Sequence, residues 1–197
     1  MEILVLMPTE EGKKLFKEAL SKRRLKNDYK VVQCGIGKVE SAVSTVMELS
    51  RKTYDAVVLS GFCGSADNGN DDVSVAIPSR CVCYDFFASN LNEEVDIDFP
   101  TLFGDGSVMM TGDQFANGNT VRLVKQRHPD TDLYFDMESS AVCQACVPFG
   151  VTPLVVKYVA DRPENGDNID TFREFVGKAD FSDIVSFIED YFTEDEI

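Results

Sequence analysis

Short apolar runs alternate with longer amphipathic stretches along most of the chain, which predicts strands and helices in turn. Residues 3–7 (Ile-Leu-Val-Leu-Met) read as a buried strand. Pro8-Thr9-Glu10-Glu11 then opens a helix, with Thr9 as N-cap, acids in the first turn, and Leu15, Phe16 and Leu20 at helical spacing. A second strand covers 29–34 and stops at Gly35-Ile36-Gly37. The helix after it, 39–51, carries Val39, Ala42, Val43 and Val46 along one face. A third strand at 55–60 runs into the loop Gly61-Phe62-Cys63-Gly64. Further strands are predicted at 73–77, 81–84, 106–111, 132–136 and 152–159, with helices near 119–127 and over 139–147. Helical periodicity returns over 171–191 through Phe172, Phe175, Ile184, Phe187 and Ile188, and the irregular stretch 85–106 reads as surface loop. The alternation implies an α/β fold of three layers, a central mixed, largely parallel sheet between helices.

Composition narrows the class. The 197 residues, 44% hydrophobic and 27% charged, suit a single globular domain over 1–197 with a proper core. Nineteen Lys and Arg against 34 Asp and Glu leave a formal charge of −15, which argues against binding nucleic acid, since phosphate backbones require clustered cations. No apolar run approaches the roughly 20 residues of a membrane span. The N-terminus lacks the basic region of a signal peptide, so a cytoplasmic protein with no membrane partner is expected.

The six cysteines, at 34, 63, 81, 83, 143 and 146, fall into no four-ligand pattern and read as small buried hydrophobes in a reducing compartment. His128 ends a helical stretch beside Pro129 and has no nucleophile motif to serve. Acid–base chemistry therefore falls mainly to carboxylates, without metal or organic cofactor. In sheets of this kind ligands bind beyond the carboxyl ends of the strands. Four such junctions stand out: Met7 to Glu11, Ser60 to Gly64, Asp136 to Ala141, and Val159 to Pro163. Gly35-Ile36-Gly37-Lys38 matches neither phosphate-loop spacing nor a dinucleotide fingerprint and reads as a tight turn.

Phe135-Asp136-Met137-Glu138-Ser139-Ser140-Ala141-Val142, followed by Val155-Val156-Lys157-Tyr158-Val159-Ala160-Asp161, resembles the double signature of the 5′-methylthioadenosine/S-adenosylhomocysteine nucleosidases. More broadly it is similar to the nucleoside phosphorylase/hydrolase superfamily. Cys34-Gly35-Ile36-Gly37-Lys38-Val39, the loop 61–64 and Gly112-Asp113-Gln114-Phe115 keep the same order, so the resemblance spans essentially the whole chain.

The resemblance implies a nucleoside phosphorylase-like fold, a small-molecule purine nucleoside as partner, no cofactor and a homodimer. It implies that Glu138 accepts hydrogen bonds from the ribose 2′- and 3′-hydroxyls, which suits an acceptor-only carboxylate facing two donors. Met137 should lie against the sugar, Phe115 should stack on the purine, and Ala116 should reach the base edge through its backbone. Asp136, Phe62, Cys63 and Gly64 complete the implied binding set. Asp161 would be the general acid that protonates the purine at N7, so that the C1′–N9 bond breaks through a ribosyl cation. Glu10 or Glu11 would position the attacking water, Glu10 fitting the Met-x-x-Glu spacing from Met7, whereas a gapless match puts Gly12 there.

The chain departs from the pattern in places. Phe62-Cys63 stands for a small Ser-Ala pair, Ala160 for a Ser and Lys157 for an Arg, and the chain is shortened around 85–106. The implied function is hydrolysis of methylthioadenosine, S-adenosylhomocysteine or a related nucleoside such as futalosine. Phosphorolysis needs a cation ahead of the glycine loop, where Val57-Val58-Leu59-Ser60 offers none, although Arg80 is a strand away. A nucleoside-binding protein without turnover is the other alternative.

Overall fold

The computed structural model describes residues 1–66, 74–86, 97–163 and 169–194. The strands are β1 (Glu2–Met7), β2 (Asp28–Gln33), β3 (Ala56–Ser65), β4 (Val75–Ala76), β5 (Arg80–Cys83), β6 (Ile97–Pro100), β7 (Val108–Thr111), β8 (Leu133–Asp136) and β9 (Leu154–Asp161). The helices are α1 (Glu10–Ser21), α2 (Lys38–Arg51), α3 (Gly118–Arg127), α4 (Ser139–Cys146), α5 (Ile169–Val176) and α6 (Ser182–Glu194).

One mixed sheet runs β2-β1-β3-β8-β7-β5-β6, with β9 paired to β3 and β4. β1 pairs in parallel with β2 and β3, β3 with β9, and β7 with β5 and β8; the β3–β8, β4–β9 and β5–β6 pairs are antiparallel. β1 shows how the layers are built. Its side chains alternate between faces, so Ile3, Val5 and Met7 pack with Phe16, Leu20, Ile184 and Ile188 of α1 and α6. Leu4 and Leu6 join Leu49 of α2 and Val142 and Cys146 of α4 on the other side.

Several elements depart from the sequence reading. The loop 61–64 is strand: β3 continues to Ser65, with Gly61 at φ 144° where a β-carbon would meet Pro8 Cδ at 3.1 Å. That positive φ lets the strand turn against Pro8 without losing its pairing to β9. β9 likewise runs on to Asp161, putting that carboxyl on a fixed strand end. β6 lies inside the predicted loop 85–106, paired antiparallel with β5, while 87–96 fall outside the described residues. Of the strand expected at 73–77, Val75–Ala76 is strand and Val73 lies outside the described residues. The C-terminal helical stretch is two helices; Gly177 follows α5, and the Asp180 carboxylate takes the Ser182 N–H at 3.0 Å to start α6.

The largest correction concerns α2. Its buried residues are Ser41, Thr45 and Leu49, while Val39 and Val43 are 74% and 54% exposed. The hydroxyls can face inward because each is satisfied within the helix: Ser41 Oγ donates to the Gly37 carbonyl at 2.8 Å and Thr45 Oγ1 to the Ser41 carbonyl at 2.7 Å. Among the described residues no helix is long and apolar enough to cross a membrane.

Candidate active site

The carboxyl ends of β1, β3, β8 and β9 meet the segment after β7 and helix α5 around a cavity of about 320 Å³. Phe62, Cys63, Gly64, Phe115, Ala116, Asp136, Met137, Glu138 and Asp161 line it. These are all the sequence-predicted site residues except Glu10. Pro8, Thr9, Ile36, Gln114, Phe135, Ile169 and Phe172 complete the lining.

Glu138 is the N-cap residue of α4 and is buried. Its Oε1 accepts the Gly37 N–H at 3.2 Å, and its Oε2 lies 3.1 Å from the Lys157 Nζ. Two positions earlier, on β8, Asp136 accepts from the same ammonium at 2.5 Å, from Thr111 Oγ1 at 2.7 Å and from the Ser139 N–H at 3.0 Å. The Ser139 hydroxyl also donates to it. Burial pushes the Glu138 carboxyl above its ordinary range, Lys157 opposes this, and Asp136 adds to it. Lys157 is fully buried; burial acts to lower its pKa, but Asp136 and Glu138 hold the ammonium well above the usual lysine range.

Asp161, also buried, ends β9 beside Gly64, where a β-carbon would stand 3.0 Å from Asp161 Oδ2. A side chain at this position would crowd that carboxyl. Cys63, between Phe62 and Gly64, is a buried thiol whose pKa burial pushes up. The aromatic wall is continuous. Phe172 of α5 sits edge-on to Phe62 with centroids 5.7 Å apart and to Phe115 with centroids 6.0 Å apart, and Phe62 also packs on Phe181 at 5.4 Å. Phe115 is 38% exposed, at the rim.

The structure does not bring Glu10 into the cavity, nor Glu11. Helix α1, capped by Thr9 Oγ1 on the Gly12 N–H at 3.0 Å, buries Gly12, Phe16, Ala19 and Leu20. The two acids start the helix on the opposite face; the Glu10 side chain is 67% exposed and pairs with Lys13 at 2.9 Å. The inward position at that level is Gly12, where a β-carbon would stand 3.8 Å from Phe62 Cε2. Sequence reasoning missed Phe172 and Ile169, whose apolar spacing reads as ordinary helix core. It also missed the pairing of Lys157 with Asp136 and Glu138, since nothing in a single sequence shows which acids a strand lysine meets some 20 residues away.

Among the described residues, none that lines the cavity is a Lys or Arg. Arg80 is taken by Asp98 at 2.7 Å, and Lys38 by Asp85 and, at 3.5 Å, Asp113. His128 is the C-cap of α3, as its place beside Pro129 suggests. Among the described residues no group of three or more His, Cys, Asp or Glu is placed to hold a metal ion.

No family model matches the chain. The 5′-methylthioadenosine/S-adenosylhomocysteine nucleosidase of Bacillus pumilus is 30% identical over 175 residues, 76% of this chain and 74% of that protein. Among solved structures, a putative nucleosidase of the same name from Borrelia burgdorferi, bound to adenine, superposes with a TM-score of 0.76 at 20% identity, covering 88% of this chain and 92% of that one. The Streptococcus pneumoniae MTA/SAH nucleosidase, in complex with 8-aminoadenine, gives 0.76 at 20% identity over 89% and 92%. At these identities the structures establish the fold, and the Bacillus relative extends the likeness over three-quarters of both sequences. The chain belongs to the 5′-methylthioadenosine/S-adenosylhomocysteine nucleosidase family.

Proposed function

We propose that this chain is a single-domain hydrolase over 1–197 that cleaves the N-glycosidic bond of a purine nucleoside, methylthioadenosine, S-adenosylhomocysteine or a relative such as futalosine. The observation that carries the reading is the meeting of Glu138, Asp161 and Phe115 around one cavity. In this reading Glu138 accepts both ribose hydroxyls, with Met137 against the sugar. Phe115 stacks on the purine, while Ala116 meets the base edge. Asp161 gives its proton to N7, the C1′–N9 electron pair leaves with the neutral base, and a ribosyl cation remains. Asp136 and Glu138, two carboxylates against the one ammonium of Lys157, favour that cation electrostatically. Water adds at C1′ and loses its proton to solvent.

The absence of Lys and Arg among the described lining residues favours hydrolysis over phosphorolysis, because a phosphate dianion needs charge-assisted donors. Among the described residues Glu10 and Glu11 point to solvent, so neither acid of α1 prepares the water, and turnover is expected to be slow. The same observation favours a second reading, nucleoside binding without turnover.

The two are separated by assaying base release from methylthioadenosine, S-adenosylhomocysteine, adenosine, inosine and futalosine, with and without phosphate, beside Asp161→Asn. Phosphate-independent release that the variant loses supports the hydrolase. Release only with phosphate makes the protein a phosphorylase, and nucleoside binding without release supports the second reading.

We also propose a homodimer in the cytoplasm. Ile36, Val39, Val43 and Met47 form an exposed apolar stripe along the outer side of α2, and Ile36, 54% exposed, also lines the cavity. An exposed apolar stripe of this kind is a surface through which two copies of a chain can pair. The six unpaired thiols fit a reducing compartment.

A further inference from the structure

Asp136, Lys157 and Glu138 form a buried row in which one ammonium serves two carboxylates. The carboxylates are held unequally. Asp136 is fixed by the Thr111 hydroxyl and by both the N–H and the hydroxyl of Ser139, in addition to Lys157. Glu138 has the Gly37 N–H and Lys157, and it borders the cavity. Of the two, Glu138 is the one able to change its proton or its aim.

We infer that Lys157 is a positioning residue for nucleoside binding: its ammonium, braced by Asp136, keeps Glu138 ionised and aimed into the cavity, the state a vicinal diol requires. The inference rests on the reading of Glu138 as the ribose acceptor and adds the group that sets its charge. An ionised carboxylate accepts from two hydroxyls, whereas a protonated one spends an oxygen as a donor. Take away the ammonium and two neighbouring buried carboxylates lose the positive charge they share. Both cannot stay ionised, and the less firmly held Glu138 takes the proton.

The other titratable groups around Glu138 do not substitute for Lys157. Cys34 after β2, pushed up to about 12 by burial, and Cys63 on β3, also pushed up, stay neutral at working pH. Cys81 on β5, raised by burial, faces Asp136 and Lys157 rather than Glu138. Asp161 at the end of β9 is a further acid on the same cavity. Lys38, next to Gly37, is engaged by Asp85 and Asp113. The sign follows: binding of a diol-bearing nucleoside is lost as pH falls through the Glu138 titration, and removing the ammonium moves that loss to higher pH.

The test compares adenosine with 2′,3′-dideoxyadenosine, which keeps the base and lacks the diol, by calorimetry on the full chain from about pH 5 to about pH 9. Lys157→Met should weaken adenosine binding at neutral pH by ~10-fold or more and move its acid limb up by about a unit or more. Lys157→Arg, which keeps the charge, should hold the limb near that of the wild type. Dideoxyadenosine should bind weakly and without that limb throughout. An unmoved limb in Lys157→Met, or equal losses for both nucleosides at every pH, overturns the inference.

Should Lys157→Met fail to fold, Asp136→Asn decides. It leaves the ammonium to Glu138 alone, so the limb must move down, and a static or raised limb sinks the idea. A wild type that binds both nucleosides equally overturns the ribose reading of Glu138 itself, and the inference with it.

Discussion

Phe62 stands over Gly12 beside the cavity: a β-carbon on Gly12 would lie 3.8 Å from Phe62 Cε2 and 3.1 Å from both Met7 Cε and Thr9 Oγ1. The tight neighbours of a side chain at Gly12 are Met7 and Thr9, and the Phe62 ring of β3 stands next, at ordinary contact distance. Gly12→Glu alone should be crowded and destabilised. Paired with Phe62→Ala it should raise phosphate-independent base release, by ~10²-fold if the new carboxylate acts as a general base. The check is the single-turnover rate of adenine release from methylthioadenosine; no gain in the folded double variant would reject this account of slow turnover.

The outer side of α2 should be a self-association face. Val43→Lys replaces a 54% exposed residue, so it should change folding stability by no more than ~0.5 kcal/mol. It should nevertheless turn a two-copy species into a single copy in sedimentation velocity. A wild type that sediments as one copy at all concentrations would remove the dimer from the proposal.

Phe16 is fully buried between β1 and α6, its ring 5.7 Å from that of Phe181. Phe16→Ala should cost ~3–5 kcal/mol through lost burial and the cavity left behind. Urea unfolding measures it. Because Phe181 in turn touches Phe62, the variant should also loosen the aromatic wall and weaken nucleoside binding.

Glu189 ties α6 to the segment that leads into β2 and to Tyr29 of β2. It accepts from the Lys26 N–H at 3.0 Å, Asn27 Nδ2 at 3.2 Å and the Tyr29 hydroxyl at 2.5 Å. Burial works to raise its carboxyl, but these hydrogen bonds hold it below the ordinary glutamate range. A folded pKa below the unfolded one gives stability that is present above the unfolded value and lost as pH falls through the folded one. Glu189→Gln should therefore lower stability at pH 7 and flatten the decline on acidification below about 4.5. Parallel wild-type and variant curves of unfolding free energy against pH would show that the anchor carries no such linkage.

Local rules settled a good deal of this protein in advance. The Thr9 cap, the buried run of β1 and the βα alternation each follow from interactions within a few residues, and the structure keeps them. The ordered motifs around Glu138 and Asp161 were legible too, because they sit at strand ends, where an α/β sheet gathers its ligands whatever the loops do.

What needed the tertiary structure was orientation. Glu10 and Gly12 are neighbours on one helical turn, and which of them faces the cavity depends on how α1 rotates to bury Phe16 and Leu20. The valines of α2 read as a core face, yet Ser41 and Thr45 go inward, since their hydroxyls satisfy themselves on the helix backbone. Phe62-Cys63-Gly64 reads as loop from its glycines and is strand, because β9 supplies the pairing. The meeting of Lys157 with Asp136 and Glu138 depends on β3 holding the carboxyl end of β8 against the middle of β9. The order of most strands and helices and the acids at the strand ends were legible in the residues themselves, since those are short-range matters. Which side chain faces which was decided only by packing between distant segments, where burial of whole surfaces outweighs any local preference.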